Sequence, residues 1–185
     1  MLETHPRFIE KIFHQENWGK PLSVLVRGET GSGKTAFVKN LHHQYMPEKP
    51  FVHLNMAAMP ENLIESELFG YQKGAFTGAD KNTKGKVTLA TSGLLFLDEI
   101  GELPLRLQGK LLTFLDNGEY YPLGSSSSLK FVGKIVFATN QDLEQKMRQG
   151  EFRKDLYFRL RNFQLDLPPL RTKPDEIPDL LKKRI

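Results

Sequence analysis

At 185 residues and 39% hydrophobic, the chain has enough apolar material for one good-sized core, and 26% charged residues exclude a collagen-like, coiled-coil or disordered protein. It contains no cysteine, which excludes disulfides and thiolate-held metal or iron–sulfur sites and fits a reducing, cytoplasmic setting. A net charge of +4 suits an acidic partner or an ordinary solvated surface alike, and no helix-turn-helix or zinc-finger pattern accompanies it, so no DNA-binding motif is expected.

In chain order, the N-terminal MLETHPRFIEKIF lacks the basic-then-apolar layout of a signal peptide, and its Phe8, Ile9, Ile12 and Phe13 stripe predicts a helix instead. No later run approaches the ~20 apolar residues of a membrane span. Five short apolar runs predict buried strands: 23–27 (SVLVR), 51–55 (FVHLN), 94–98 (LLFLD), 134–140 (KIVFATN) and 163–167 (FQLDL). Near-continuous apolar character, rather than alternation, is what a sheet covered on both faces requires. Helical patterns fall between them, at 35–45, 62–69, 103–116, 142–149 and 152–160. The clearest is the third, where Leu107, Leu111 and Leu115 recur every four residues and Asn117-Gly118 signals a stop. Strand–helix alternation of this kind predicts a three-layer α/β fold around a five-stranded parallel sheet. Residues 1–171 read as one nucleotide-binding subdomain with insertions at 70–85 and 118–130, and 172–185 as the start of a linker.

Gly28, Glu29, Thr30, Gly31, Ser32, Gly33, Lys34 and Thr35 spell GETGSGKT, a full match to the P-loop pattern in its required strand-to-helix context. Gly28, Gly31 and Gly33 permit backbone conformations in which successive N–H groups turn onto phosphate oxygens, and the helix N-terminus adds partial positive charge. Lys34 is placed to reach the β- and γ-phosphates of ATP, and the Thr35 hydroxyl to ligate Mg²⁺.

The third strand ends in Asp98 and Glu99, at the carboxyl edge where open α/β sheets bind ligands. An acid pair after a strand commonly caps a helix. With a complete P-loop upstream, Asp98 fits a Mg²⁺-holding role, and Glu99 fits polarising the attacking water. Asn140, leaving the fourth strand, reads either as a cap for the next helix or as a sensor of the γ-phosphate; periodicity does not separate the two. The adjacent His42 and His43 point in different directions on a helix and predict no metal site.

Between the second and third strands lies ESELFGYQKGAFTGAD, in which Phe76 sits among helix-breaking glycines with nothing local to pack on. Its GAFTGA string (Gly74, Ala75, Phe76, Thr77, Gly78 and Ala79) resembles the loop that marks bacterial enhancer-binding proteins, AAA+ ATPases that remodel sigma-54 RNA polymerase. The resemblance runs from about residue 22 to 171, through GLLFLDEIGELPLRLQGKLLTFLDNGEYYPLG, ATNQDLE, FRKDLYFRL and LPPLR. It implies that Phe76 and Thr77 contact sigma-54 and that residues 118–129 support that loop. It implies that Asn55 holds Glu99 away from water until the loops engage, and that Asn140 is the sensor. It implies that Arg153 and Arg159 reach a neighbour's ATP across a ring interface.

The sequence departs from the family at Thr35, where Glu is common, and at Met56, where Cys is usual. The helical lid and its sensor arginine that follow LPPLR in the family are not found, nor is a DNA-binding unit. Two readings follow. One is a ring-forming Mg²⁺-ATPase that remodels sigma-54 polymerase, weak in isolation. The other is a nucleotide-dependent sigma-54-binding module with little or no turnover.

Overall fold

The computed structural model describes Phe13 and residues 22–172. The expectations for Phe8, Ile9 and Ile12 and for the chain beyond 172 lie outside the described residues, whereas Phe13 itself is helical and 7% exposed.

In chain order the elements are β1 (Leu22–Arg27), α1 (Lys34–Tyr45), β2 (Phe51–Asn55), α2 (Glu61–Phe69), β3 (Gly70–Tyr71), β4 (Thr83–Lys84) and α3 (Lys86–Leu89). There follow β5 (Leu94–Asp98), α4 (Leu105–Asn117), β6 (Glu119–Tyr120), β7 (Leu129–Lys130), β8 (Lys134–Thr139), α5 (Leu143–Arg148), α6 (Lys154–Leu160) and β9 (Gln164–Asp166). The main sheet has five strands in the order β2-β5-β8-β1-β9, every pairing parallel. Its composition explains its layers. Alternate residues of each strand enter opposite cores: Leu95 and Leu97 of β5 pack with α2, α4 and α6, while Leu94 and Phe96 pack with Phe13 and α1. Both sets are removed from water, so a strand such as LLFLD is apolar without a break up to its final Asp98.

Helix α4 begins two residues later than its pattern suggests. Leu103 precedes Pro104 and is held extended (φ −65°, ψ 120°), because the proline ring disfavours helical backbone before it. The helix ends as expected, with Gly118 at φ 70° donating its N–H to the Phe114 carbonyl. Helix α6 likewise starts at Lys154: Arg153 is its N-cap in extended backbone (φ −69°, ψ 135°), and its N–H bonds the buried Gln108 Oε1 (2.7 Å).

The two insertions are short antiparallel hairpins that strand-length patterns do not reveal. β3 pairs with β4, and β6 with β7. The neck of the first is pinched: a Cβ on Gly85 would fall 2.3 Å from the Gly70 nitrogen, so neither position has room for a side chain.

Candidate functional site

β1 delivers its last residue beside Gly28, and the chain then coils into the P-loop. Gly31 and Gly33 stand at φ 82° and 86°, left-handed backbone that side chains disfavour. Gly33 is the N-cap of α1 and no side chain caps that turn, which leaves its N–H groups available to an anion. Lys34 is 7% exposed; its ammonium donates to the Gly28 and Glu29 carbonyls (2.9 and 3.2 Å) and lies 3.9 Å from Glu99. The Ser32 hydroxyl is buried without a partner, and a Cβ on Gly28 would stand 2.5 Å from it. An orphaned hydroxyl within a loop of inward N–H groups fits phosphate oxygens. Outside the loop, Arg171 forks onto the Glu29 carboxylate, with its Nη2 at 2.9 Å, and this pairing holds that carboxyl below its ordinary value.

The neighbouring strand ends supply the carboxylates. Thr35 Oγ1 donates to Asp98 Oδ2 (3.3 Å), and Asp98 Oδ1 accepts the Glu99 N–H (3.1 Å). His53 Nε2 lies 3.4 Å from the same Oδ2, its ring stacked on Phe96 with centroids 4.6 Å apart. Burial pushes the Asp98 carboxyl up, but His53, the Glu99 N–H and the Lys34 ammonium outweigh it and hold the group below its ordinary value. An ionised carboxylate beside a hydroxyl is a donor set suited to a small, hard divalent cation. Glu99 stands in left-handed backbone (φ 54°, ψ 53°), uncommon for a residue with a side chain. Its Oε2 accepts the Asn140 N–H (3.1 Å), and Asn140 Nδ2 donates to Thr30 Oγ1 (2.7 Å).

Asn55 pairs in register with Asp98, yet its Oδ1 accepts the Ala57 N–H (3.0 Å) and caps the short turn Met56–Ala58. The expected hold of Asn55 on Glu99 is therefore not formed in this conformation; Asn140 and Lys34 contact that carboxylate instead.

The GAFTGA loop closes on itself: Gly74 N–H bonds the Ala79 carbonyl (2.8 Å) and Ala79 N–H the Phe76 carbonyl (3.0 Å). Phe76 does have a local partner, contrary to the sequence expectation. Its ring lies 4.9 Å from that of Tyr71 and stays 45% exposed, and Thr77 is exposed beside it. Leu123, from the second insertion, donates to the Gly70 carbonyl and accepts from the Gln72 N–H (both 2.9 Å), so the two insertions brace each other.

Both candidate arginines are engaged elsewhere. Arg153 forks onto Asp155 (3.0 and 2.7 Å) at the surface. Arg159 donates to Asp116 (3.2 Å) and the Leu115 carbonyl (3.0 Å), and approaches the Ser23 hydroxyl at 3.5 Å. Ser23 sits near the amino end of β1, about 16 Å of strand away from Gly28 at ~3.3 Å per residue. Arg159 thus lies toward the sheet edge opposite its own P-loop.

The sequence pattern of the family described as "Sigma-54 interaction domain" matches residues 4–166. The chain belongs to that family. It is 48% identical over 162 residues to the DNA-binding transcriptional regulator NtrC of Proteus hauseri, covering 87% of this chain and 34% of the relative. It is 45% identical over 178 residues to the Nif-specific regulatory protein of Azotobacter vinelandii, covering 96% of this chain and 34% of the relative. The chain therefore spans about a third of the length of these curated relatives. Among solved structures, NtrX of Brucella abortus in complex with ADP superposes with a TM-score of 0.79 at 29% identity, over 95% of this chain and 37% of that one. An Hsp104 chain at 20% identity and TM-score 0.70 shares the fold alone, the three-layer α/β core of AAA+ P-loop proteins.

For this sigma-54 interaction domain, the structure gathers residues 28–35, Asp98, Glu99 and Asn140 at the carboxyl ends of β1, β5 and β8, three adjacent strands. It leaves Asn55 one strand away and both arginines outside the cluster. Sequence reading missed His53 and Gln108. His53 had one signal: within FVHLN it shares the strand face of Phe51 and Asn55 by its period of two. Gln108 had another, as the polar residue directly beside Leu107 on the buried side of α4.

Proposed function

We propose that this domain binds ATP with Mg²⁺ in the cytoplasm and, assembled in a ring, hydrolyses it to remodel sigma-54 RNA polymerase holoenzyme. The observation that carries the reading is the convergence of Lys34, Thr35, Asp98, Glu99 and Asn140 on one sheet edge. P-loop N–H groups and Lys34 hold the phosphates, and Thr35 and Asp98 hold Mg²⁺. The cation neutralises phosphate charge when bound. Glu99 orients and polarises the attacking water once it leaves Asn140 and Lys34. Arg159 and Arg153 stabilise the phosphate charge of a neighbouring subunit, which accords, for Arg159, with its place by Ser23 away from its own P-loop. Gly74–Ala79 is the sigma-54 contact, with Phe76 and Thr77 at its tip.

The test has two arms. ATPase activity per subunit rises with protein concentration and collapses in Arg159→Ala and Arg153→Ala; flat turnover indifferent to both substitutions excludes the shared site. Thr77→Ala loses sigma-54 capture in the presence of a transition-state analogue while still binding nucleotide; equal capture by both proteins excludes the loop contact. A nucleotide-dependent grip on sigma-54 without turnover is the second reading, favoured by the engagement of Glu99 and of both arginines within the subunit.

A further inference from the structure

Asn140 is held at both ends. β8 lies between β5 and β1, so the residue leaving it can touch the residues leaving both neighbours. Its main-chain N–H reaches across to Glu99 (3.1 Å) after β5, and its carboxamide reaches the other way to Thr30 (2.7 Å) in the loop after β1. The one residue thus joins the phosphate loop to the carboxylate of the acid strand, and each bond crosses a strand boundary.

From this geometry we infer that Thr30 is a positioning residue: its hydroxyl orients the Asn140 carboxamide and so links the phosphate loop to the residue whose main-chain N–H holds Glu99. A carboxamide on an exposed residue has free rotation about its side-chain bonds, and ordering it at binding costs entropy. The bond to Thr30 fixes the amide plane over the loop before ligand arrives. One amide hydrogen is used on Thr30, and the second remains a donor for a terminal phosphate oxygen. Asn55, occupied by the Ala57 N–H, takes no part in this link. The inference rests on the ATP-binding reading above and concerns how the same site distinguishes a triphosphate from a diphosphate.

The experiment measures affinity for a non-hydrolysable ATP analogue and for ADP, both with Mg²⁺, in the wild type, Thr30→Val, Thr30→Ser, Asn140→Ala and the Thr30→Val/Asn140→Ala double variant. Valine keeps the volume of threonine without its hydroxyl, and serine keeps the hydroxyl. The ratio of the two affinities falls roughly three- to tenfold in Thr30→Val, the scale of one hydrogen bond. It falls equally in Asn140→Ala and no further in the double variant, because the two residues act as a unit. Thr30→Ser restores the wild-type ratio. A wild-type ratio in Thr30→Val, or effects that multiply in the double variant, overturns the link while leaving ATP binding intact. A wild type that binds neither nucleotide overturns the ATP-binding reading itself, and the link with it.

Discussion

Gly124 lies directly against Ala75: a Cβ built on Gly124 would stand 2.9 Å from the Ala75 Cβ, and Gly124 itself has φ 75°. The second insertion thus supports the loop bearing Phe76 through a surface with no spare volume. Gly124→Val should displace the 74–79 loop and cost about 1–2 kcal/mol in left-handed backbone. Sigma-54 capture should fall while the rise in Tm caused by ATP analogues is kept. Undiminished capture would show that the brace is dispensable.

The arginines should separate by stability as well as by activity. Arg159 ties α6 to the last turn of α4 and is half-buried, so Arg159→Ala should destabilise by about 1–2 kcal/mol, mainly by leaving the Leu115 carbonyl without its partner, since Asp116 is open to water. Arg153→Ala removes a solvent-exposed pair and should leave Tm unchanged, while lowering concentration-dependent ATPase by ~10³-fold if it reaches a neighbour's phosphate. Equal losses of Tm in the two variants would contradict this division, which thermal melts can read.

Gln108 is fully buried and satisfied at three points: it donates to the Leu103 and Glu151 carbonyls and accepts the Arg153 N–H. Gln108→Leu fills the volume but strands these groups, for a loss of about 1–3 kcal/mol in chemical denaturation. Gln108→Glu keeps the acceptor for Arg153 but sets a carboxyl oxygen against the Leu103 and Glu151 carbonyls in a buried site, and should destabilise at least as much. A stable, fully active Gln108→Leu would remove Gln108 from the positioning of Arg153.

Asp98 sets an acid limit. Its folded-state pKa lies below the ordinary 3.8, so the stability it contributes is fully present above that value and is lost as pH falls through the lower folded one. The Tm difference between wild type and Asp98→Asn should therefore not shrink between pH 7 and 5, and should close below about pH 4. A difference that closes between pH 7 and 5 would mean that the carboxylate is not held in its ionised form.

The parts legible in the sequence were those encoded by contiguous residues. GETGSGKT states its own conformation, and LLFLD can be buried on both faces only within a covered sheet. Illegible parts depend on residues far apart in the chain. Nothing near His53 announces that it will meet Asp98, and nothing in TNQD selects Thr30 and Glu99 as the two partners of Asn140. The short hairpins fail for a different reason: two-residue strands such as Gly70–Tyr71 carry no periodicity, and in the first hairpin the pairing comes with a close approach of Gly70 and Gly85, which lie 15 residues apart. The tilted Tyr71–Phe76 ring contact joins that hairpin to the loop, which is why Phe76 looked unsupported when read alone.

The pinched neck between Gly70 and Gly85 also determines how load travels. Gly70 caps α2, and Gly85 immediately precedes α3, so the loop is rooted in two helices at a point too tight to hinge on a side chain. A load taken up at Phe76 and Thr77 would have to pass to α2 and α3 through that one narrow junction. Any tilt of either helix is thereby carried to the loop's base, which couples the position of its tip to the packing of the core.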